Sequence, residues 1–255
     1  MPDKIITKNN TAVSATNSQN HKNANPPPAY TKLGPKLHGN GYAAVPIEKT
    51  GKDCVIPGRS KLTHDELATM QATGRYQYRD KDGEPNGVKD LTQCYTGIRC
   101  GDGGLLGLDF DFLDNDMADI ALTILKKHLK RLPDPGTLVI RQGRAPKFLV
   151  PIRVPEDESK SKGVVTFSHS DKTNADQVLE ILGKGYYFVA SGIHPTTKQR
   201  YKYLTDNHFL NTSLDKLPLV TWGWINHMVA DLEEQMKTHG YSRKNTGTMK
   251  PDRHS

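Results

Sequence analysis

The stretch that most restricts the fold of this 255-residue chain is an apolar segment, residues 105–112, that carries two carboxylates. Leucine and phenylalanine dominate it, which predicts a buried β-strand, yet Asp109 and Asp111 interrupt it two residues apart. Side chains at that spacing leave the same face of a strand, so both acids should point away from Phe110. Adjacent carboxylates repel each other in a core, and Mg²⁺ or Mn²⁺ between them would remove that repulsion. The alternative is a strand end whose two acids are merely solvated.

The overall charge is basic. The chain has 35 lysine and arginine residues against 28 acidic ones, a formal net charge of +7, which favours a polyanionic partner. Its three cysteines (Cys54, Cys94 and Cys100) do not predict a disulfide framework, and we expect no cleavable signal segment. No apolar run approaches the roughly 18 residues of a membrane span. We therefore expect a soluble, cytoplasmic protein without a membrane partner.

The composition of the two ends predicts one ordered domain between basic tails. Residues 1–36 are rich in Asn, Lys, Thr, Ser and Ala and include three consecutive prolines, which predicts a disordered leader. Residues 238–255 are polar and basic, and they are expected to form a second disordered tail. The ordered domain is then expected over residues 37–237.

Capping signals mark the helices. Thr63 and Glu66 have the spacing of a capping box and predict a short helix after them. Asp114 is a candidate N-cap for an amphipathic helix that ends near Lys130, where three lysines suit the negative end of the helix dipole. Pro218 is expected to open a further amphipathic helix.

Apolar runs predict the strands, and glycines between them predict how the strands pair. Residues 93–99 lead through a glycine-rich turn into the acidic strand, so these two strands are expected to form a hairpin. Residues 178–182 and 186–190 are expected to form another hairpin across Gly-Lys-Gly. The polar residues 76–88 are expected to be loop.

A third acid interrupts a second apolar strand. Glu180 stands within Val-Leu-Glu-Ile-Leu, where a carboxylate gains nothing from a core position unless a cation meets it. The alternative is that Glu180 lies on the wet face of a half-buried strand. Only the first of these interpretations connects Glu180 with the acidic pair.

Five short segments occur in an order typical of one protein family. They are Gly41-Tyr-Ala-Ala-Val-Pro-Ile47, Thr96-Gly-Ile-Arg99, Gly107-Leu-Asp-Phe-Asp111, Glu180-Ile-Leu-Gly-Lys-Gly185 and Gly192-Ile-His-Pro195. This order, over about residues 38–205, resembles the bifunctional DNA primase/polymerase domain of phages, plasmids and archaeal elements, within the archaeo-eukaryotic primase superfamily. The resemblance implies an α+β fold, in which an antiparallel catalytic sheet like that of an RNA-recognition motif, with flanking helices, packs with a smaller α/β unit.

The resemblance also implies an activity. A DNA primase or polymerase of this kind is a nucleotidyltransferase that adds nucleoside triphosphates on a single-stranded DNA template, here in replication of a phage or plasmid-like element in a bacterial or archaeal cytoplasm. Carried over residue by residue, its catalytic and metal-binding acids are Asp109, Asp111 and Glu180, which would hold two Mg²⁺ or Mn²⁺ ions. Family members often carry a helicase module. These residues contain no Walker A sequence, so a helicase partner would be a separate chain or a downstream part.

The phosphate-binding motif departs from the family pattern. The family usually has a histidine on the hairpin after the first long helix, and here that turn reads Arg141-Gln-Gly-Arg-Ala-Pro-Lys147, between predicted strands 137–140 and 148–152. Arg144 and Lys147, with Arg141 beside them, are expected to bind the triphosphate instead, because their side chains are permanently charged. A merely solvated basic turn is the alternative.

Other cations extend the predicted nucleic-acid surface. His194 and Lys184 follow Glu180 along the chain and are candidate nucleotide-binding residues. Arg99 precedes the glycine-rich turn, and Tyr186 follows Lys184, so that cations stand beside aromatic rings as in proteins that stack nucleic-acid bases.

Two other functions stay open. A metal-dependent nuclease also places Asp and Glu around Mg²⁺, but restriction-type nucleases prefer Glu-x-Lys, and Leu182 stands where that lysine would follow Glu180. A non-catalytic nucleic-acid-binding protein of the same fold is favoured by the missing histidine and opposed by the retention of all three acids.

Overall fold

The computed structural model describes residues 29–158 and 162–244, and within them the strands form three antiparallel sheets. The strands are β1 (Ala44–Ile47), β2 (Arg75–Arg79), β3 (Pro85–Asp90), β4 (Tyr95–Arg99), β5 (Leu105–Asp111), β6 (Arg141–Gln142), β7 (Phe148–Arg153), β8 (Lys162–His169), β9 (Gln177–Leu182), β10 (Tyr187–Ser191), β11 (Lys202–Tyr203) and β12 (Tyr241–Arg243). The α-helices are α1 (Tyr30–Gly39), α2 (His64–Thr73), α3 (Asn115–Leu129) and α4 (Trp222–Thr238). The fold is α+β, which confirms the predicted class.

The acidic strand β5 lies at the centre of the largest sheet. That sheet has seven strands in the order β11-β6-β7-β5-β9-β8-β12. Alternate residues of β5, among them Leu106, Leu108 and Phe110, are fully buried in one core with the apolar faces of α3 and α4. Period-2 alternation therefore sends the apolar side chains of β5 to the helices and its acids to the opposite face.

A smaller unit covers part of that opposite face. It consists of the three-stranded sheet β1-β4-β10 with α1 and α2, which share a second core. Gly107 of β5 permits the two sheets to approach, because a Cβ at that position would lie 3.2 Å from the ring of Phe188 on β10. The small sheet therefore covers the first half of β5 and stops short of its two acids.

The capping signals are confirmed. Thr63 Oγ1 accepts a hydrogen bond from the Glu66 N–H at 3.2 Å, and Glu66 Oε2 accepts one from the Thr63 N–H at 2.7 Å. Asp114 caps α3 by accepting from the Met117 N–H at 3.1 Å. The helix predicted after Pro218 begins at Trp222, where the side chain of its N-cap Thr221 accepts from the Trp224 N–H.

Two predicted hairpins are wrong. β4 and β5 belong to different sheets, and so do β9 and β10. The glycine-rich turns carry the chain from one sheet to the other instead of folding it back within a sheet: the Gly101 N–H donates to the Leu105 carbonyl at 2.8 Å, with Gly101 at φ +100°. A backbone that turns out of the sheet plane favours glycine, since other residues rarely adopt that φ.

Two further segments also differ from expectation. The predicted loop at residues 76–88 is an exposed hairpin of β2 and β3, whose turn is held by Asp80 Oδ1 accepting from the Asp82 and Glu84 N–H groups at 2.9 Å. The prediction of a strand at residues 137–140 is wrong, because the strand here is β6, which begins at Arg141. The predicted hairpin forms through β6 and β7, with Arg141 opposite Leu149. Arg141 is thus a strand residue and not part of the turn.

Order extends into both predicted tails. α1 begins at Tyr30, inside the predicted leader 1–36, and Tyr30 has no exposed surface. β12 pairs with β8 inside the predicted tail 238–255, where Tyr241 is buried. Both segments contain few apolar residues among many polar ones, so their average composition predicted disorder. Residues 1–28 and 245–255 lie outside the described part of the chain.

None of the helices in residues 29–158 and 162–244 is long and apolar enough to cross a membrane.

Replacing Tyr30 by alanine should lower the free energy of unfolding by about 3–5 kcal/mol, because a fully buried ring leaves a cavity in the core of the smaller unit. Urea denaturation followed by circular dichroism measures the change. Tyr186→Ala is the matched control, since Tyr186 is 39 % exposed. Equal effects of the two substitutions would show that α1 does not contribute to the core.

Candidate active site

Strand register brings the three predicted acids together. Asp109 of β5 lies directly opposite Glu180 of β9. Residues that face each other in an antiparallel pair project from the same side of the sheet, and Asp111 shares that side because it is two residues from Asp109. The carboxylates of Asp109, Asp111 and Glu180 therefore stand on one face, beside the edge of the smaller sheet.

A cleft with a volume of about 130 Å³ opens over this face. Acidic, basic and aromatic side chains from both units line it: Lys52, Asp109, Asp111, Arg141, Arg144, Lys147, Phe148, His194, Thr196 and Tyr201, with Gly143. The structure thus gathers two of the predicted acids and four of the predicted nucleotide-binding residues in one cleft. Glu180 stands beside it, opposite Asp109.

Strand β6 and the basic turn that follows it contribute two cations in different environments. Lys147 Nζ lies 3.2 Å from Asp111 Oδ1 in a half-exposed ion pair. Arg141 is buried, its guanidinium lies over the ring of Tyr201 at 4.7 Å, and its Nε has no hydrogen-bond partner. Arg144 lies between these two residues along the chain and lines the same cleft.

His194 joins the cleft from a segment far away in sequence. Gly143 makes room for it, because a Cβ there would lie 2.8 Å from His194 Cδ2. The Thr196 and Thr197 N–H groups both donate to His194 Nδ1 at 3.3 Å, which assigns the proton of the neutral ring to Nε2. Burial lowers the pKa of His194, and the surrounding Lys and Arg side chains lower it further. His194 is therefore a neutral Nε2–H donor at pH 7.

The pKa of Asp109 lies well above the ordinary range of an aspartate. Burial raises its pKa to about 6, with the carboxylates of Asp111 and Glu180 adding to the shift and Arg141 and Lys52 opposing it. Asp109 forms no ion pair within the described residues, and the charges of Arg141 and Lys52 offset only part of the effect of its burial. A cation in the cleft would stabilise its ionised form.

Sequence reasoning missed two cations of the site. Lys52 lines the cleft from the loop after β1, where the only signal was a basic turn. Lys162, the first residue of β8, pairs with Glu180 at 2.6 Å between Nζ and Oε1. Nothing in its local sequence indicated this pairing, which depends on the register of β8 against β9.

Two predicted cations lie elsewhere. Lys184 packs against Gly101 and lines a separate hollow with Arg99 and Asp102. The guanidinium of Arg99 is buried and donates to both Asp102 carboxylate oxygens at 2.7 Å and to the carbonyls of Arg59 and Leu62. The donors of Arg99 are thus used inside the protein, and these contacts give no support to the prediction that Arg99 meets a nucleic-acid strand.

The three acids are suitable ligands for divalent cations, but two of them form ion pairs with lysines. Carboxylate oxygens are the ligands that Mg²⁺ and Mn²⁺ prefer, and burial together with the neighbouring carboxylates raises the pKa of Asp109. As the side chains stand, no three His, Cys, Asp or Glu residues among those the structure describes form a group that could hold a metal ion. Two of the three acids are instead paired with lysines, Asp111 with Lys147 and Glu180 with Lys162.

Asp109→Asn should raise the free energy of unfolding in metal-free buffer by up to about 3 kcal/mol at pH 7–8. Between pH 4 and 6 the folded wild type keeps a proton that the unfolded chain has lost, so its stability falls as pH rises through that window. The gain from asparagine should therefore shrink towards pH 4. Urea denaturation at several pH values checks this, with exposed Asp116→Asn as control; a gain independent of pH would contradict it.

A comparison with protein families places these features in a known group. The family model described as bifunctional DNA primase/polymerase, N-terminal, matches residues 36–220, which contain β5, β9 and the whole lining of the cleft. A search of curated proteins finds no significant match. Because the family model covers most of the chain, this protein belongs to the bifunctional DNA primase/polymerase N-terminal family.

Proposed function

We propose that this chain is a metal-dependent nucleotidyltransferase that extends DNA on a single-stranded template in the replication of a phage or plasmid-like element. The observation that carries the proposal is the pairing of Asp109 with Glu180 across β5 and β9, which sets three acids beside a cleft lined by cations. The family supplies the reaction class, a DNA primase/polymerase.

Asp109, Asp111 and Glu180 would hold two Mg²⁺ or Mn²⁺ ions, which when bound activate the attacking 3′-hydroxyl and neutralise charge on the leaving pyrophosphate. All three ligands must be ionised for this. Arg141 favours the ionised form of Asp109 and is itself fixed over the ring of Tyr201. Because its pKa is about 6, Asp109 is mostly ionised at neutral pH in spite of its burial.

The cations of the cleft are assigned to the triphosphate. Arg144 and Lys147 donate charged hydrogen bonds to phosphate oxygens at any physiological pH. His194 adds a neutral Nε2–H donor, held in place by its two backbone contacts through Nδ1. Lys52 reaches the cleft from the smaller unit, so that nucleotide binding engages both units. A template strand and a helicase, separate or downstream, complete the proposed replication complex.

An incorporation assay tests the proposal. The protein is incubated with Mn²⁺ or Mg²⁺, single-stranded DNA and labelled nucleotides, with and without a primer. Labelled extension that Asp109→Ala abolishes and Asp116→Ala preserves supports the proposal. A shortened template would instead indicate a nuclease, and neither product would indicate a non-catalytic nucleic-acid-binding protein.

Lys147→Ala should raise the KM for nucleotide and lower kcat, because a permanent charge on the triphosphate is lost. Lys147→His should restore part of the activity, and more at pH 6 than at pH 8, since only the protonated ring replaces the charge. Steady-state incorporation kinetics measure both effects, with template affinity measured separately.

Template affinity distinguishes the two roles of the basic turn. If Lys147→Ala and Arg144→Ala leave nucleotide kinetics unchanged while template affinity falls, the turn binds DNA and not the triphosphate. Lys216→Ala serves as control, because Lys216 is an exposed lysine outside the cleft.

A further inference from the structure

The third acid of the site is engaged by a lysine that no motif indicated. Lys162 Nζ lies 2.6 Å from Glu180 Oε1, the two side chains being 29 % and 31 % exposed. Lys162 faces Leu182 in the β8–β9 register, and Val164, two residues on, faces Glu180, so the lysine reaches Glu180 diagonally along one face. Partial burial and a short distance distinguish this contact from a solvent-exposed ion pair of little consequence.

Each of the two outer acids forms an ion pair with a lysine, whereas the central acid forms none among the described residues. Asp111 has Lys147 at 3.2 Å, Glu180 has Lys162 at 2.6 Å, and among the described residues Asp109 forms no ion pair. A divalent cation that takes an oxygen of Glu180 meets a positive charge already on that carboxylate. Lys162 and the cation therefore compete for the Glu180 carboxylate, because like charges at this separation repel.

We propose that Lys162 is a built-in counterion of Glu180 that a divalent cation must displace, and that it thereby sets the ion concentration at which the site loads. This inference rests on the metal site of the proposed function. Lys162 acts only through Glu180 and is not itself a catalytic residue. The ring of Tyr186, 5.5 Å from Lys162 Nζ and itself exposed, offers a second place for the released ammonium.

A purely structural role makes the opposite prediction. If Lys162 only held the Glu180 carboxylate in a productive orientation, its removal would leave a more mobile ligand and weaken metal binding. If Lys162 competes, its removal strengthens metal binding. The sign of the change in affinity therefore separates the two roles without any reference to catalysis.

Isothermal titration with Mn²⁺ in the absence of nucleotide and DNA measures that sign. Lys162→Gln should bind Mn²⁺ about 10-fold more tightly than the wild type, because one nearby positive charge is removed. Lys162→Met, which keeps the apolar stem, should behave like Lys162→Gln, whereas Lys162→Arg should stay within about threefold of the wild type since it keeps the charge.

Two controls separate this inference from the proposed function. Lys244→Gln breaks a pair of matching distance, 2.7 Å to Asp176, at another part of the same sheet and should leave Mn²⁺ affinity unchanged. Asp109→Asn should weaken Mn²⁺ binding in every background. If it does, but Lys162→Gln and Lys162→Met bind as the wild type or more weakly, the counterion role is overturned and the metal site stands. If Asp109→Asn has no effect, both proposals fail.

Discussion

The repulsion among three carboxylates on one face of the central sheet is the constraint on which the rest of the site depends. Strand register sets Asp109 opposite Glu180, and the two-residue spacing adds Asp111. Burial prevents water from dispersing that charge, which is why the pKa of Asp109 rises to about 6. Three cations partly offset this negative charge, and each is supplied by a different strand or turn: Arg141, Lys147 and Lys162.

The two-sheet architecture decides where that repulsion is felt. β5 is covered by helices on one face and, over its first half, by the smaller sheet on the other, with Gly107 allowing the close approach of Phe188. The acids lie where this cover ends, deep enough for burial to raise the pKa of Asp109 and open enough for a polyanion to enter. A fully covered face would not tolerate three acids, and a fully exposed one would not shift the pKa of Asp109.

Local sequence patterns predicted what depends on local physics. Each confirmed signal lies within a single helix end or strand. These signals are the caps at Thr63 and Asp114, the alternation in β5 and the isolated Glu180, and the structure contains each of them. Pairing between distant strands is different, because glycine turns permit either a hairpin or a passage between sheets. For that reason the predicted pairing of β4 with β5 and of β10 with β9 was wrong. The contact of Lys162 with Glu180 also depends on the pairing of distant strands, and the local sequence did not indicate it. Tyr30 was missed because one buried ring carries little weight in a polar segment.

The position of His194 shows how a fold can supply a group that a motif lacks. The turn Arg141-Gln-Gly-Arg-Ala-Pro-Lys147 has no histidine, yet Gly143 within it leaves room for the ring of His194, which arrives from the end of β10. Burial lowers the pKa of His194 and the surrounding cations lower it further, so that the ring is neutral at pH 7 and offers a donor, not a charge. The permanent charges of Arg144 and Lys147 then act beside it. In the proposed function the triphosphate is thus held by fixed cations together with an oriented neutral donor. The hairpin lacks the family's histidine, but the phosphate site still contains a histidine, His194.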